Sequence, residues 1–517
     1  MLKPVLLTAV AIGALIAGPV LADGHIVKLP AVAPAGQTAK ARIDAAAANI
    51  DNGKAAEAAA DMRDMIAAPD FATASTSIKA SAYFMLALAE EDLKDYAAAY
   101  DHLMKVREVV SSPSRYYWIQ LTQVALHLDK DADAVEALTG AINAEPARAS
   151  ELYMPFVGNV VRLSAQLKDG NVARQKLLEA LWDAKYTPDN PFWSAQWFWS
   201  SLLEIYAAKG MDDKARQIAA VLTDPDLIIG LRVDTRYSRF VAGAPFGGDV
   251  AEALDGELAE LTAKAAANPG LLAGAQSVGS ALLKRNRLPE ALAVLDAAIA
   301  RAEKATNDKP AFTDQDDQLR WLYDTRSRVL AKMGRHEEVL AAQLKARDIA
   351  LAAKDDTVSQ TINLGDIYNS LGRPADALAA VKGIDDKGDG ASIYGLMSAE
   401  EVRACAYAQT GDKAGLARSL AFMEAHADEG YGPYEAALLC ADDGDGLAQL
   451  IISRLDDPEL RNATLVDLQT YLALPHPTPV DAQLAARFET VKARADVQAA
   501  VAKYGVIESY PIFPPFN

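Results

Sequence analysis

WSSLLEIYAAKGMDDKA, residues 199–215, sets out the grammar of the whole chain. Trp199, Leu202, Leu203 and Tyr206 recur three and four apart, which places them on one stripe of a helix. Gly210 ends that helix, Asp212 and Asp213 open the next, and Ala215 stands early in it. LGDIYNSLGRPADA, residues 364–377, repeats the arrangement with Leu364, Gly365, Tyr368, Gly372 and Ala377. The same break recurs at NGKAAEA (52–58), RNRLPEA (285–291), MGRHEEV (333–339) and TGDKAGL (410–416). Each reads as two helices joined by a tight turn, with a small residue where the two cross.

Anchored on that small position, the units fall at Ala58, Ala99, Ala134, Arg174, Ala215, Ala253, Ala291, Val339, Ala377, Leu416 and Gln449. Their spacing averages about 39 residues, enough for two helices of roughly 15 residues and their turns. Period-2 alternation is missing, so the expected fold is all-α, an α-α superhelix of about 10–11 hairpins. One hairpin cannot bury its apolar face alone, so each depends on its neighbours.

This pattern resembles that of tetratricopeptide repeat (TPR) proteins: W-x2-L-G-x2-Y in the first helix, then Ala and a larger apolar residue in the second, then Pro. Residues 199–215 and 364–377 carry it. So do Trp118, Leu121 and Ala125 leading to Ala134, Leu138 and Pro146, and Gly279, Leu282, Ala291, Leu295 and Ala298. The match spans most of residues 41–456 and departs in length, since the family repeat is about 34 residues. The resemblance implies that first helices line a concave face that grips an extended peptide or a partner helix. Trp199 and Tyr206 occupy core positions. Trp197, two residues before Trp199, points elsewhere, so Trp193 and Trp197 are candidates for the binding face. Trp321 and Arg328 are their counterparts in a later hairpin. Family members that bind chaperone C-terminal carboxylates use a Lys/Asn cluster. Glu204, Asp324 and Asp366 stand on the comparable faces here and argue against that mode.

Residues 1–22 read as a cleaved signal peptide: Lys3, the apolar core Val5 to Ile16, the breakers Gly18 and Pro19, and Val20-Leu21-Ala22 before the cut. A periplasmic or secreted chain with no transmembrane anchor after cleavage is expected. A flexible leader (23–40) then precedes an N-terminal array (41–223), an irregular joint (224–250), a C-terminal array (251–456), and a helical cap with a Pro/aromatic tail (457–517). The cap is expected to cover an open array end. The tail, SYPIFPPFN (509–517), reads either as packing back on that cap or as an extended peptide for a partner's groove.

The net charge of −19 over 517 residues lacks the basic face that nucleic acids or anionic membranes require. It favours a basic partner or solubility alone. No two of the six His have metal-ligand spacing on a helix, and no phosphate-cradling Gly loop or G-x-S-x-G occurs. The acidic loops DDKGDG (385–390) and DDGDG (442–446) invite a calcium reading. Leu396 stands where the first would need its twelfth-position carboxylate. Glu508-Ser509 lacks the downstream run of a muramidase. Catalytic, cofactor and metal residues are therefore left unassigned. Cys405 and Cys440 sit one repeat apart on neighbouring first helices. Helix axes about 8–10 Å apart and the roughly 7 Å Cα limit of a disulfide leave both a bond and two separate buried thiols open. The reading is an exported, non-catalytic scaffold that binds a protein or peptide, with its oligomeric state open. The competing class is a cell-envelope enzyme such as a glycan hydrolase, drawing two carboxylates from different repeats. A structural subunit acting through the convex face is a third class.

Overall fold

The computed structural model describes residues 34–167, 170–305, 310–354, 357–385 and 391–514. The expected signal peptide, the leader up to residue 33 and the acidic loop at 386–390 lie outside the described residues. Among those described, the elements are α-helices and short 3-10 turns, with two isolated bridges, Asp234 with Gly505 and Thr470 with Ser509, and no strand. The chain is an all-α array of helical hairpins, divided into two units at Lys209 and Gly210.

The first unit contains α1 (Pro34–Asp51), α2 (Ala55–Ala67), α3 (Thr76–Asp92), α4 (Tyr96–Val109), α5 (Arg115–His127), α6 (Asp131–Ala144), α7 (Met154–Ser164), α8 (Gly170–Asp183) and α9 (Gln196–Ala208). Helix starts are written in the sequence. Ser75, Asp95 and Ser114 each accept a hydrogen bond from the backbone N–H three residues on. Hairpin turns close on a left-handed residue, Gly53, Lys94 or Asp129. Phe84 and Leu86 lie two apart on α3 and enter different cores, one shared with α4 and α5, the other with α1 and α2. That alternation is how each hairpin comes to need both neighbours.

The second unit contains α10 (Asp212–Ala219), α11 (Pro225–Val233), α12 (Val250–Ala267), α13 (Leu272–Lys284), α14 (Leu288–Glu303), α15 (Gln315–Lys332), α16 (His336–Ala352), α17 (Val358–Ser370), α18 (Pro374–Ala380), α19 (Ile393–Thr410), α20 (Lys413–Ala425), α21 (Tyr431–Ala441), α22 (Gly444–Asp456), α23 (Arg461–Asp467), α24 (Pro479–Lys492) and α25 (Ala495–Tyr504). Close crossings need small residues. A Cβ on Gly279 would meet Leu295 at 2.8 Å, and one on Gly365 would meet Val402 at 2.7 Å. The anchors Ala58, Ala99, Ala134, Ala215, Ala253, Ala291 and Ala377 are fully buried. In the last two hairpins the buried small residues are Gly415 and Ala448, one position before the expected Leu416 and Gln449. Those expectations placed the helix phase one residue late.

Segment 224–250 contains α11 and lies in the second unit. Residues 457–514 pack against the start of that unit. Asn462 of α23 donates to the Gly230 carbonyl at 2.9 Å, and Ile228, Ile229 and Val233 share one core with Ile451, Leu455, Leu465, Tyr510 and Ile512. The first and last hairpins of the second unit are thereby joined through the C-terminal residues. The apolar faces at both ends find each other.

Candidate functional site

Trp197 leaves the α9 stripe that buries Phe198, Trp199, Leu202 and Tyr206, and it stays 37% exposed. Its ring lies over α7, where a Cβ on Gly158 would sit 3.4 Å away. Trp193 precedes α9 in a turn held by its N–H to the Asn190 carbonyl at 3.1 Å. Its half-buried ring meets Tyr153, just before α7, edge-to-face at 5.4 Å. Trp193, in the turn before α9, and Trp197, in its first turn, therefore each meet the α7 segment, Trp193 at Tyr153 and Trp197 at Gly158. Tyr153 was not singled out from the sequence, because a lone Tyr at a helix start carries no pattern of its own. Trp199 packs against Trp182 at 5.2 Å inside the unit.

Trp321 and Arg328 stand about two turns apart on α15 of the second unit. Trp321 is half-buried with the Arg320 guanidinium 5.5 Å from its ring. Arg328 is exposed and donates to Asp324 at 2.9 Å. Buried Asp324 also accepts from Asn363 of α17 at 2.8 Å, so this carboxylate is a clamp between first helices. One turn on, buried Lys332 places its ammonium 4.5 Å from the Phe513 ring. Burial, followed by the nearby Arg328 charge, lowers the Lys332 pKa to about 8.

The cysteines are joined. Cys405 of α19 and Cys440 of α21 form a disulfide with Cα atoms 5.0 Å apart. The 5.0 Å gap lies within the reach of a disulfide, so the bond braces neighbouring hairpins.

Carboxylates in the clefts are already engaged. A cleft of about 450 Å³ beside α21 and α24 contains Asp442, paired with Arg487 at 2.9 Å, and Asp443, which caps α22. A cleft of about 250 Å³ contains Glu400, held by Arg403 and Ser419, both at 2.6 Å. The DDGDG loop is therefore a helix start tied to the C-terminal helices, its Asp445 bound to Arg494 at 2.6 Å. Glu91 and Glu257 are raised to about 7, in each case chiefly by burial. Among the described residues no group of three or more His, Cys, Asp or Glu is arranged to hold a metal ion, and no helix is long and apolar enough to cross a membrane.

Stacked two-helix repeats with small residues at their crossings define an all-α helical-repeat protein. No family model and no curated protein matches the sequence. Solved structures similar to it include a Rap protein complexed with competence and sporulation factor, at 13% identity and TM-score 0.32, covering 87% of this chain and 99% of that one. NprR in complex with its cognate peptide NprX is 12% identical at TM-score 0.37, covering 83% and 98%. The C-terminal part of a TPR repeat-containing protein from Cytophaga hutchinsonii is 12% identical at TM-score 0.27, covering 65% and 99%.

Proposed function

We propose that this chain is an exported TPR-type scaffold that holds a protein or peptide partner on the aromatic face of its first unit and performs no catalysis. The observation that carries the reading is Trp197, a large ring left 37% exposed on α9, with the Trp193–Tyr153 pair close by in sequence before α9 and α7. Exposed aromatic clusters of this kind gain most when a partner covers them. Export draws support from the composition of residues 1–22 and from the Cys405–Cys440 bond, a link that persists in oxidising compartments. The acidic balance suits a partner with basic groups.

The test is a photo-crosslinking residue placed at 197 in living cells, with the exposed Leu351 position as control. A discrete adduct is expected from 197 alone, and Trp193→Ala should weaken it. Equal labelling from both positions would remove the aromatic face from consideration. Cell fractionation with N-terminal sequencing addresses export, and a mature chain beginning at Asp23 in the periplasm is the expected result.

A further inference from the structure

The last described residues do not behave as an appendage of α25. From Gly505 to Phe513 the backbone leaves the helix and pairs on two sides. Val506 N–H donates to the Val233 carbonyl at 3.0 Å, and Phe513 N–H donates to the Lys284 carbonyl at 3.0 Å. On the other side Thr470 N–H donates to Glu508 at 2.9 Å, Tyr510 N–H to Thr470 at 2.8 Å, and Leu472 N–H to Ile512 at 2.9 Å. The Gln469 side chain spans the same stretch. It donates to the Val506 carbonyl at 3.0 Å and accepts from Glu508 N–H at 2.6 Å. Tyr510 and Ile512 point into the core that joins the ends of the second unit, whereas Phe513 enters the neighbouring core of α13 to α16. Ile512 and Phe513 are essentially inaccessible to solvent. Arg232 clamps the Glu508 carboxylate at 2.9 Å.

Main-chain pairing for affinity and side-chain pockets for register are the two ingredients by which proteins bind extended peptides. This segment crosses the C-terminal ends of α13 and α15, where last-turn carbonyls lack partners within their own helix. Its amide at Phe513 satisfies one of them. Its ring covers the Lys332 ammonium, whose neighbouring cation Arg328 is held by Asp324.

We propose that the second unit is a peptide-binding array already filled by its own C-terminal residues 505–513, and that a separate extended peptide of the same chemistry, aromatic and aliphatic with an acidic residue near its start, occupies this channel when the tail is displaced. The channel belongs to the second unit and Trp197 to the first, so its test can fail without touching the proposed function.

The probe is a fluorescently labelled synthetic peptide of residues 505–517, followed by anisotropy. Three proteins are compared: the full chain, a chain ending at Tyr504, and a full-length Ile512→Asp/Phe513→Asp variant whose tail no longer seats. Cooperative melting by circular dichroism first establishes which of the latter two are folded. Saturable binding to a folded tail-free protein is expected. Binding to the full chain should be about 100-fold weaker, since only the fraction with its tail displaced is competent. The probe carrying the same two Asp substitutions should not bind. A folded tail-free protein that ignores the probe, or a full chain that binds it equally well, overturns the inference. Loss of folding in both variants overturns it too, because the tail would then be core and not an exchangeable ligand.

Discussion

Two residues, Trp197 and Trp199, stand two positions apart on α9 and meet opposite fates, since successive helical positions turn about 100° from one another. Trp199→Ala should cost about 3–5 kcal/mol in a urea titration, because its buried ring packs on Trp182 and Phe198. Trp197→Ala should leave stability nearly unchanged. Glu257 gives a prediction in pH. Burial raises its pKa to about 7, with Asp224 and Asp226 adding to the shift and Lys284 and Arg285 opposing it. A raised folded pKa means that its contribution is fully present below the unfolded value, near 4.5, and is lost as pH rises through about 7. Glu257→Gln should therefore match wild type at about pH 4 and exceed it by about 1–3 kcal/mol at about pH 8. A variant less stable than wild type at the higher pH would contradict the sign.

Elements are separated by turns that demand a left-handed residue. Gly210, Gly334, Gly372 and Gly411 meet that demand without strain, whereas Lys94 and Asp129 do so at φ of 61° and 52°. Lys94→Gly should raise the melting midpoint, with a gain of about 0.5–1 kcal/mol from relieving the side-chain clash. Pairs of elements are further tied by the disulfide. Replacing Cys405 and Cys440 together by Ala should cost about 2–4 kcal/mol, since the bond closes a separation of 35 residues. The loss should localise to α19 through α22 in hydrogen exchange. The turns at Gly210 and Gly372 were legible in the sequence, which is local chemistry, whereas those at Lys94 and Asp129 carry no glycine to mark them. The pairing of the cysteines was not legible either, because typical helix separation only brackets the actual approach.

The whole second unit is closed by contacts far apart in sequence. Gly505 illustrates the constraint, since a Cβ there would meet the Val233 carbonyl at 2.3 Å. Gly505→Val should loosen α11 and α23 together, read as faster hydrogen exchange across 225–233 and 461–467, while leaving the first unit's rates alone. The sequence by itself determined the all-α class, the hairpin period and the exceptional position of Trp197, since helix periodicity, capping and small crossing residues act over a few turns of chain. Only the tertiary structure decided that Tyr153 meets Trp193, that segment 224–250 belongs to the second unit, and that the C-terminal residues fill that unit and close it. The last two rest on contacts between residues more than 200 positions apart, such as Asn462 with Gly230. They are selected by which apolar faces remain uncovered once every hairpin has stacked, a property of the assembled array that no local pattern encodes.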